Sequence, residues 1–276
     1  MLHHAADSSY PFPPGTSGHE MVGVVEAVGA GDSPFAVGDR VLSLAPGHKA
    51  MCECYLAPFE HVIPLPEGVP MEVLLQAQQL GTVLYASHRL PDVAGKNIAV
   101  IGQGSAGLWF NFHLRHLGAK RVAALDIEDF RLERSTSFGA THTINPGSDG
   151  DPVAKINELT DGGADYAFEC IGLPEVIAQS YNAIHKGGKA VVVGVTRADG
   201  TVTLPTFMMP FQEKVLTGSM YGSGRPSVDV PRLLQLYRPT RLTLAELVTA
   251  TYSLDDVNQA FDDKQKGVNA RGGLVF

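Results

Sequence analysis

The chain has 276 residues, 44% of them hydrophobic, enough for a large core and more naturally for two lobes than one. Its formal net charge of −8, with no block of Lys and Arg, argues against a nucleic-acid partner, and no apolar stretch reaches the about 18 to 20 residues of a membrane helix. Three cysteines (Cys52, Cys54, Cys170) cannot build a disulfide framework, and the N-terminus lacks a basic-then-apolar leader, so a cytoplasmic protein is expected.

Taken in chain order, residues 1 to about 75 read as short strands: MVGVVEAVG, DRVLSLA and MCECYLAPFEHVIPLPEGV, punctuated by Gly and Pro. Cys52 and Cys54 fall on one face of the last of these and read as packing residues. From about 80 to 220 strands alternate with helices: NIAVIG, SAGLWFNFHLRHLG, RVAALD, DFRLERSTSFG, THTIN, PVAKINELT, ADYAFECIG, PEVIAQSYNAIH, KAVVVGV and KVLTGSM. Continuous Val/Ile/Ala runs between amphipathic helices indicate a parallel sheet covered on both faces. His113 and His116, at i and i+3 on one helix, read as solvated or capping residues. The last segment holds two helical patterns, VPRLLQLYR and LDDVNQAFDDKQKG, and a short strand in GGLVF. The prediction is an α/β protein: a doubly wound Rossmann domain over residues 80–220, and a β-rich domain from 1–79 and 221–276.

Within NIAVIGQGSAGLWF, Gly102, Gly104 and Gly107 form GxGxxG between a strand and a helix. Gly102 permits the tight turn, Gly104 the approach of a pyrophosphate, and Gly107 close packing of helix on strand, with the helix N-terminus facing the anion. The next strand ends in Asp126, nineteen positions beyond Gly107, where a carboxylate can accept both ribose hydroxyls. Glu128 and Asp129 follow and would repel a 2′-phosphate, which favours NAD over NADP; Arg131 works against that preference.

The order of GHEMVGVVEAVG, VGDRV, LGTVLYA, GQGSAG, LDIEDFR, FECIG, VVVGV and RGGLVF resembles the medium-chain dehydrogenase/reductase superfamily, closest to its zinc-dependent alcohol and polyol dehydrogenases. The resemblance implies a GroES-like fold for the β-rich domain, incomplete at its N-terminus, beside the Rossmann domain. It also implies that Thr82 packs on the nicotinamide, Ile171 and Gly172 line the adenosine side, and Gly194 and Val195 hold the carboxamide. Arg271 would pair with the pyrophosphate. Thr82, Ile171 and Val195 read equally well as packing residues.

A catalytic zinc of this class takes three protein ligands and keeps an open position for the substrate oxygen. By resemblance, His19 matches the second ligand, Glu20 its neighbouring acid, and Gln78 stands where the third ligand would be. His3, sixteen residues before His19, matches the proton-relay histidine, and the first ligand would precede Met1, so the chain reads as N-terminally truncated. The four-cysteine structural zinc lobe of the family is absent from the sequence. Zinc is thus possible only at an incomplete site built on His19.

The expected activity is NAD-dependent hydride transfer between an alcohol and its carbonyl, with His19, Glu20 and His3 as catalytic candidates, in a homodimer. Two alternatives stay open: a zinc-independent quinone or enone reductase, and a truncated cofactor-binding protein without turnover.

Overall fold

The computed structural model describes residues 18–44, 49–220, 223–237, 248–269 and 271–276. The chain divides into two units, one from Thr82 to Ser223 and one from Pro11–Gly81 with Gly224–Phe276. Among the described residues no helix is long and apolar enough to cross a membrane.

The second unit begins with β1 (Glu20–Val24), β2 (Arg40–Leu44) and β3 (Val62–Pro64) in an antiparallel sheet of order β1-β2-β3. Leu42 faces Val22 on one side and Ile63 on the other. Leu42 and Ile63 open a core that takes in Leu65, Leu74, Ala77, Val230 and Leu234, the last two from helix α9 (Pro226–Tyr237). Two helices lie between these segments in the sequence, α1 (Met71–Leu74) and α2 (Ala77–Ser87). The unit closes with β10 (Ala250–Tyr252), α10 (Val257–Gln265) and β11 (Gly272–Leu274), in which β10 and β11 pair in parallel. The Tyr252 hydroxyl donates to Asp263 and accepts from the Asn269 amide, both at 2.8 Å, which ties β10 to α10 and to the turn before β11.

Of MCECYLAPFEHVIPLPEGV, read among short strands and loops, Val62–Pro64 forms a strand behind a 3-10 turn at Phe59–His61. Pro58, Pro64, Pro66 and Pro70 supply no N–H, so a ladder cannot continue through them. Cys52 and Cys54 lie in bent and irregular backbone rather than on a strand face; their thiols donate separately, to the Lys49 carbonyl at 3.0 Å and to Glu26 at 3.3 Å.

The first unit carries a six-stranded, wholly parallel sheet: β4 (Asn97–Ile101), β5 (Arg121–Leu125), β6 (His142–Ile144), β7 (Ala164–Glu169), β8 (Ile184–Val192) and β9 (Val215–Gly218), in the order β6-β5-β4-β7-β8-β9. The order reverses between β4 and β7, where an open α/β sheet leaves a crevice at its carboxyl end. Helices α3 (Ser105–His116), α4 (Asp129–Ser137), α5 (Pro146–Asp149), α6 (Pro152–Thr160), α7 (Pro174–Asn182) and α8 (Met209–Gln212) connect the strands. Helix α7 stops three residues short of the predicted end, because Ile184 and His185 already belong to β8.

Helix α3 is buried almost around its circumference, from Gly107 to Leu114. Phe110 stacks on Phe168 of β7 at 4.2 Å, and Trp109 meets Phe138 edge-on at 5.8 Å. The buried stretch includes His113, contrary to the solvated role read from the sequence: its ring is 2% exposed and its Nε2 lies 3.1 Å from the Ser87 hydroxyl. Burial lowers the His113 pKa from 6.5 to about 4, with His88 and His116 adding repulsion.

The neutral ring is therefore the folded form. The unfolded chain takes up the proton first as pH falls, so this contribution is complete above about pH 6.5 and is lost between about pH 6.5 and 4. The full loss is on the order of 3 kcal/mol. Urea midpoints measured from pH 7 to 4.5 are expected to fall more steeply for the wild type than for His113→Gln; parallel pH profiles would contradict the assignment.

Candidate functional site

Parallel strands that end together leave their following turns side by side, and four such turns meet at the carboxyl edge of the six-stranded sheet. They are Gly102–Gly107 after β4, Asp126 after β5, Cys170–Gly172 after β7, and Val193–Val195 after β8.

The first turn is held by sterics. Gly102 has φ +94°, and a Cβ there would lie 2.6 Å from Ile171 Cγ1. A Cβ on Gly107 would sit 1.9 Å from the Gly102 carbonyl oxygen, so α3 approaches β4 as only glycine allows. Around Gly104 the space is open: a Cβ there would meet nothing within 4 Å, and no side chain caps the helix that starts at Ser105. The loop is braced from below by Gln103, whose amide donates to the Val100 carbonyl at 2.8 Å and accepts from Asn111 at 2.7 Å.

Asp126 is 6% exposed, and its two carboxylate oxygens accept from the backbone N–H of Gln103 at 2.7 Å and of Glu128 at 3.0 Å. Arg131 Nη1 stands 3.6 Å from it, while Glu128 and Asp129 are exposed beside it. The open glycine, the helix N-terminus and this oriented carboxylate fit a dinucleotide: a pyrophosphate meets N–H groups, and ribose hydroxyls meet an acceptor.

The third and fourth turns touch. A Cβ on Gly172 (φ +88°) would lie 2.5 Å from the Val195 carbonyl oxygen, and one on Gly194 would lie 2.2 Å from the Gly172 nitrogen. Ile171 packs onto the sheet core, Val195 is exposed, and Thr82, on α2, is half-buried. Glu169, at the end of β7, was not singled out from the sequence. It is fully buried, and its Oε1 accepts from the N–H of both Ile171 and Gly172 at 2.8 Å. Burial pushes its carboxyl up, and the bonds from Gly172 and Ile171 offset part of that. A Glu inside the otherwise apolar ADYAFEC run was the available signal.

In the second unit, the start of β1 lies against the start of α2. His19 is exposed, and its Nδ1 lies 3.0 Å from Nε2 of Gln78, which is 8% exposed. Glu20 forms an ion pair with Arg271, which also donates to Gln79. The structure thus brings His19, Glu20 and Arg271 together with Gln79 and with Gln78, the residue at the position of the third ligand. Arg271 is engaged by a carboxylate. His3 lies outside the described residues.

These donors do not fit a catalytic zinc. Among the described residues no group of three or more His, Cys, Asp or Glu side chains could hold a metal ion. The imidazole of His19 is instead paired with an amide nitrogen, whose hydrogens face Nδ1, and a neutral amide is a poor zinc ligand.

Comparison with known proteins agrees with the fold and the order of these features. The family model described as zinc-binding dehydrogenase matches residues 107–238, and the alcohol dehydrogenase GroES-like domain matches residues 2–72. An NDMA-dependent alcohol dehydrogenase of Amycolatopsis methanolica is 30% identical over 326 aligned residues, covering 99% of this chain and 87% of the relative. That span exceeds the 276 residues of this chain, so the relative carries internal segments that this chain lacks. Among solved structures, an alcohol dehydrogenase zinc-binding domain protein from Burkholderia ambifaria superposes with a TM-score of 0.85 at 28% identity, covering 98% of this chain and 86% of that one. Benzyl alcohol dehydrogenase from Acinetobacter calcoaceticus gives 0.84 at 28%, covering 97% and 86%. A Rossmann unit, a GroES-like unit and relatives matched over nearly the whole chain have one meaning: the chain belongs to the medium-chain, zinc-type alcohol dehydrogenase superfamily and is a nicotinamide-dependent oxidoreductase.

Proposed function

We propose that the chain is an NAD-dependent dehydrogenase acting between an alcohol and its carbonyl. The observation that carries this reading is the pairing, at one sheet edge, of open space at Gly104 with the buried, backbone-oriented carboxylate of Asp126. In this reading Gly102, Gly104 and Gly107 accommodate the pyrophosphate at the start of α3, and Asp126 accepts from the adenosine ribose. Ile171 and Gly172 flank the adenosine, Gly194 and Val195 hold the carboxamide, Thr82 supports the nicotinamide ring, and Arg271 supplies positive charge for the phosphates. Exposed Glu128 and Asp129 oppose a 2′-phosphate, while Arg131, drawn toward Asp126, is partly neutralised. When bound, the nicotinamide ring supplies the acceptor for the hydride.

An alcohol carbon releases hydride readily only as its oxygen gives up a proton. We assign His19 to that oxygen as a hydrogen-bond donor: the Gln78 N–H against Nδ1 leaves the ring hydrogen on Nε2 in the neutral tautomer, so the ring donates to the alcohol or carbonyl oxygen while the alcohol's proton passes to water. Glu20 holds Arg271, and His3 would relay the proton onward. We read the assembly as a cytoplasmic homodimer; β9 ends the sheet, with Phe207, Phe211 and Val215 exposed near it.

The amide at Gln78 also favours a second reading, metal-free reduction of quinones or enones. Purified chain is expected to oxidise alcohols with NAD while retaining less than one zinc per chain by elemental analysis. Turnover confined to quinones or enones would establish the second reading, NADH binding without any turnover the third, and stoichiometric zinc would overturn the fit argued for His19. Asp126→Ala is expected to weaken NADH binding by about 10- to 100-fold, the scale of losing hydrogen bonds to a charged group. Unchanged affinity in a fluorescence titration would remove Asp126 from the site.

A further inference from the structure

The two touching turns at Ile171–Gly172 and Gly194–Val195 have a common fastening beneath them. The Glu169 main-chain carbonyl accepts from the N–H of Val193 at 2.8 Å and of Gly194 at 3.0 Å, which carries β8 to its end. Its side chain folds back so that Oε1 serves the N–H groups of Ile171 and Gly172. The other oxygen, Oε2, is buried without a hydrogen-bond partner, and a Cβ on Gly194 would come within 2.8 Å of it. One fully buried residue therefore bonds to both turns, one through its backbone and one through its carboxylate.

Such a residue is a costly choice for packing alone. An unserved carboxylate oxygen in an apolar interior disfavours the folded state, and an aliphatic side chain on this strand would not incur that penalty. What the carboxylate provides is an acceptor for two N–H groups in a turn whose Gly172 is at φ +88°, where regular strand or helix partners are out of reach. Removing the acceptor leaves both N–H groups buried or drives the turn outward. Outward movement would separate Gly172 from the Val195 carbonyl and open the contact between the two loops.

We propose that Glu169 is a positioning residue for the dinucleotide: it acts through the Ile171–Gly172 and Gly194–Val195 turns, holding them in the contact that shapes the cofactor rim. The proposal rests on the cofactor reading given above for those turns.

The test uses full-length wild type, Glu169→Ala, Glu169→Asp and Glu169→Gln. Amide hydrogen exchange is measured without cofactor, NADH affinity by fluorescence titration, and kcat and KM for NAD by turnover. In Glu169→Ala, exchange at Ile171 and Gly172 is expected to rise about tenfold or more while amides of β4 and β5 keep their protection. The dissociation constant for NADH and KM for NAD should rise by about tenfold, with kcat at saturating NAD within about threefold of wild type. Glu169→Asp, whose carboxylate is drawn back from the two N–H groups, carries the same expectation should the Ala variant fail to fold. Glu169→Gln keeps an acceptor oxygen and should restore both exchange and affinity to within about threefold. A wild type that does not bind NADH would sink the cofactor reading itself. A wild type that binds, with folded Ala or Asp variants that bind equally well, would sink only the role of Glu169.

Discussion

The structure depends on two stretches of backbone being allowed to touch. The Gly102 carbonyl occupies the place where a side chain at position 107 would begin, and that contact sets the height of α3 over β4. With α3 seated so low, Phe110 stacks on Phe168 of β7 and Trp109 packs edge-on to Phe138, and the helix N-terminus lies at the order reversal of the sheet. The same seating buries His113 and sets its charge state. The packing of α3, the position of its N-terminus and the burial of His113 thus share one steric origin.

Around that contact the turns are organised by carboxylates facing opposite ways. Asp126 and Glu169 both sit at strand ends, and both accept two backbone N–H groups. Asp126 spreads its acceptance over two oxygens at the edge of the site, next to Arg131. Glu169 concentrates both bonds on one oxygen in the interior and leaves the other without a donor. The first arrangement satisfies both carboxylate oxygens, whereas the second leaves a buried oxygen without a donor while fixing two backbone N–H groups.

In the β-rich unit the residues at the start of β1 are held by amides and a guanidinium. With Gln78 opposite it, His19 meets an amide rather than a second anionic or imidazole ligand. Its neighbour Glu20 is committed to Arg271. The resulting cluster joins imidazole, amides, carboxylate and guanidinium by hydrogen bonds and an ion pair, a donor set different from that of a three-ligand metal centre.

Much of this was legible in the residues themselves. Alternating apolar runs and amphipathic segments specify the parallel sheet, since each such run must be covered on both faces; the GxGxxG turn, the helix start and the strand-end carboxylate of Asp126 were legible because they follow one another along the chain. Helix α2 was not read from the sequence, where LGTV carried only Thr82. What sequence order could not convey are contacts between segments far apart: Glu20 with Arg271, His19 with Gln78, and Glu169 spanning two turns. Local pattern determines which face of a strand or helix is apolar. Only the folded chain decides which backbone N–H is left for a buried carboxylate to accept, and which amide meets a histidine, because both depend on elements meeting across the structure rather than along the chain.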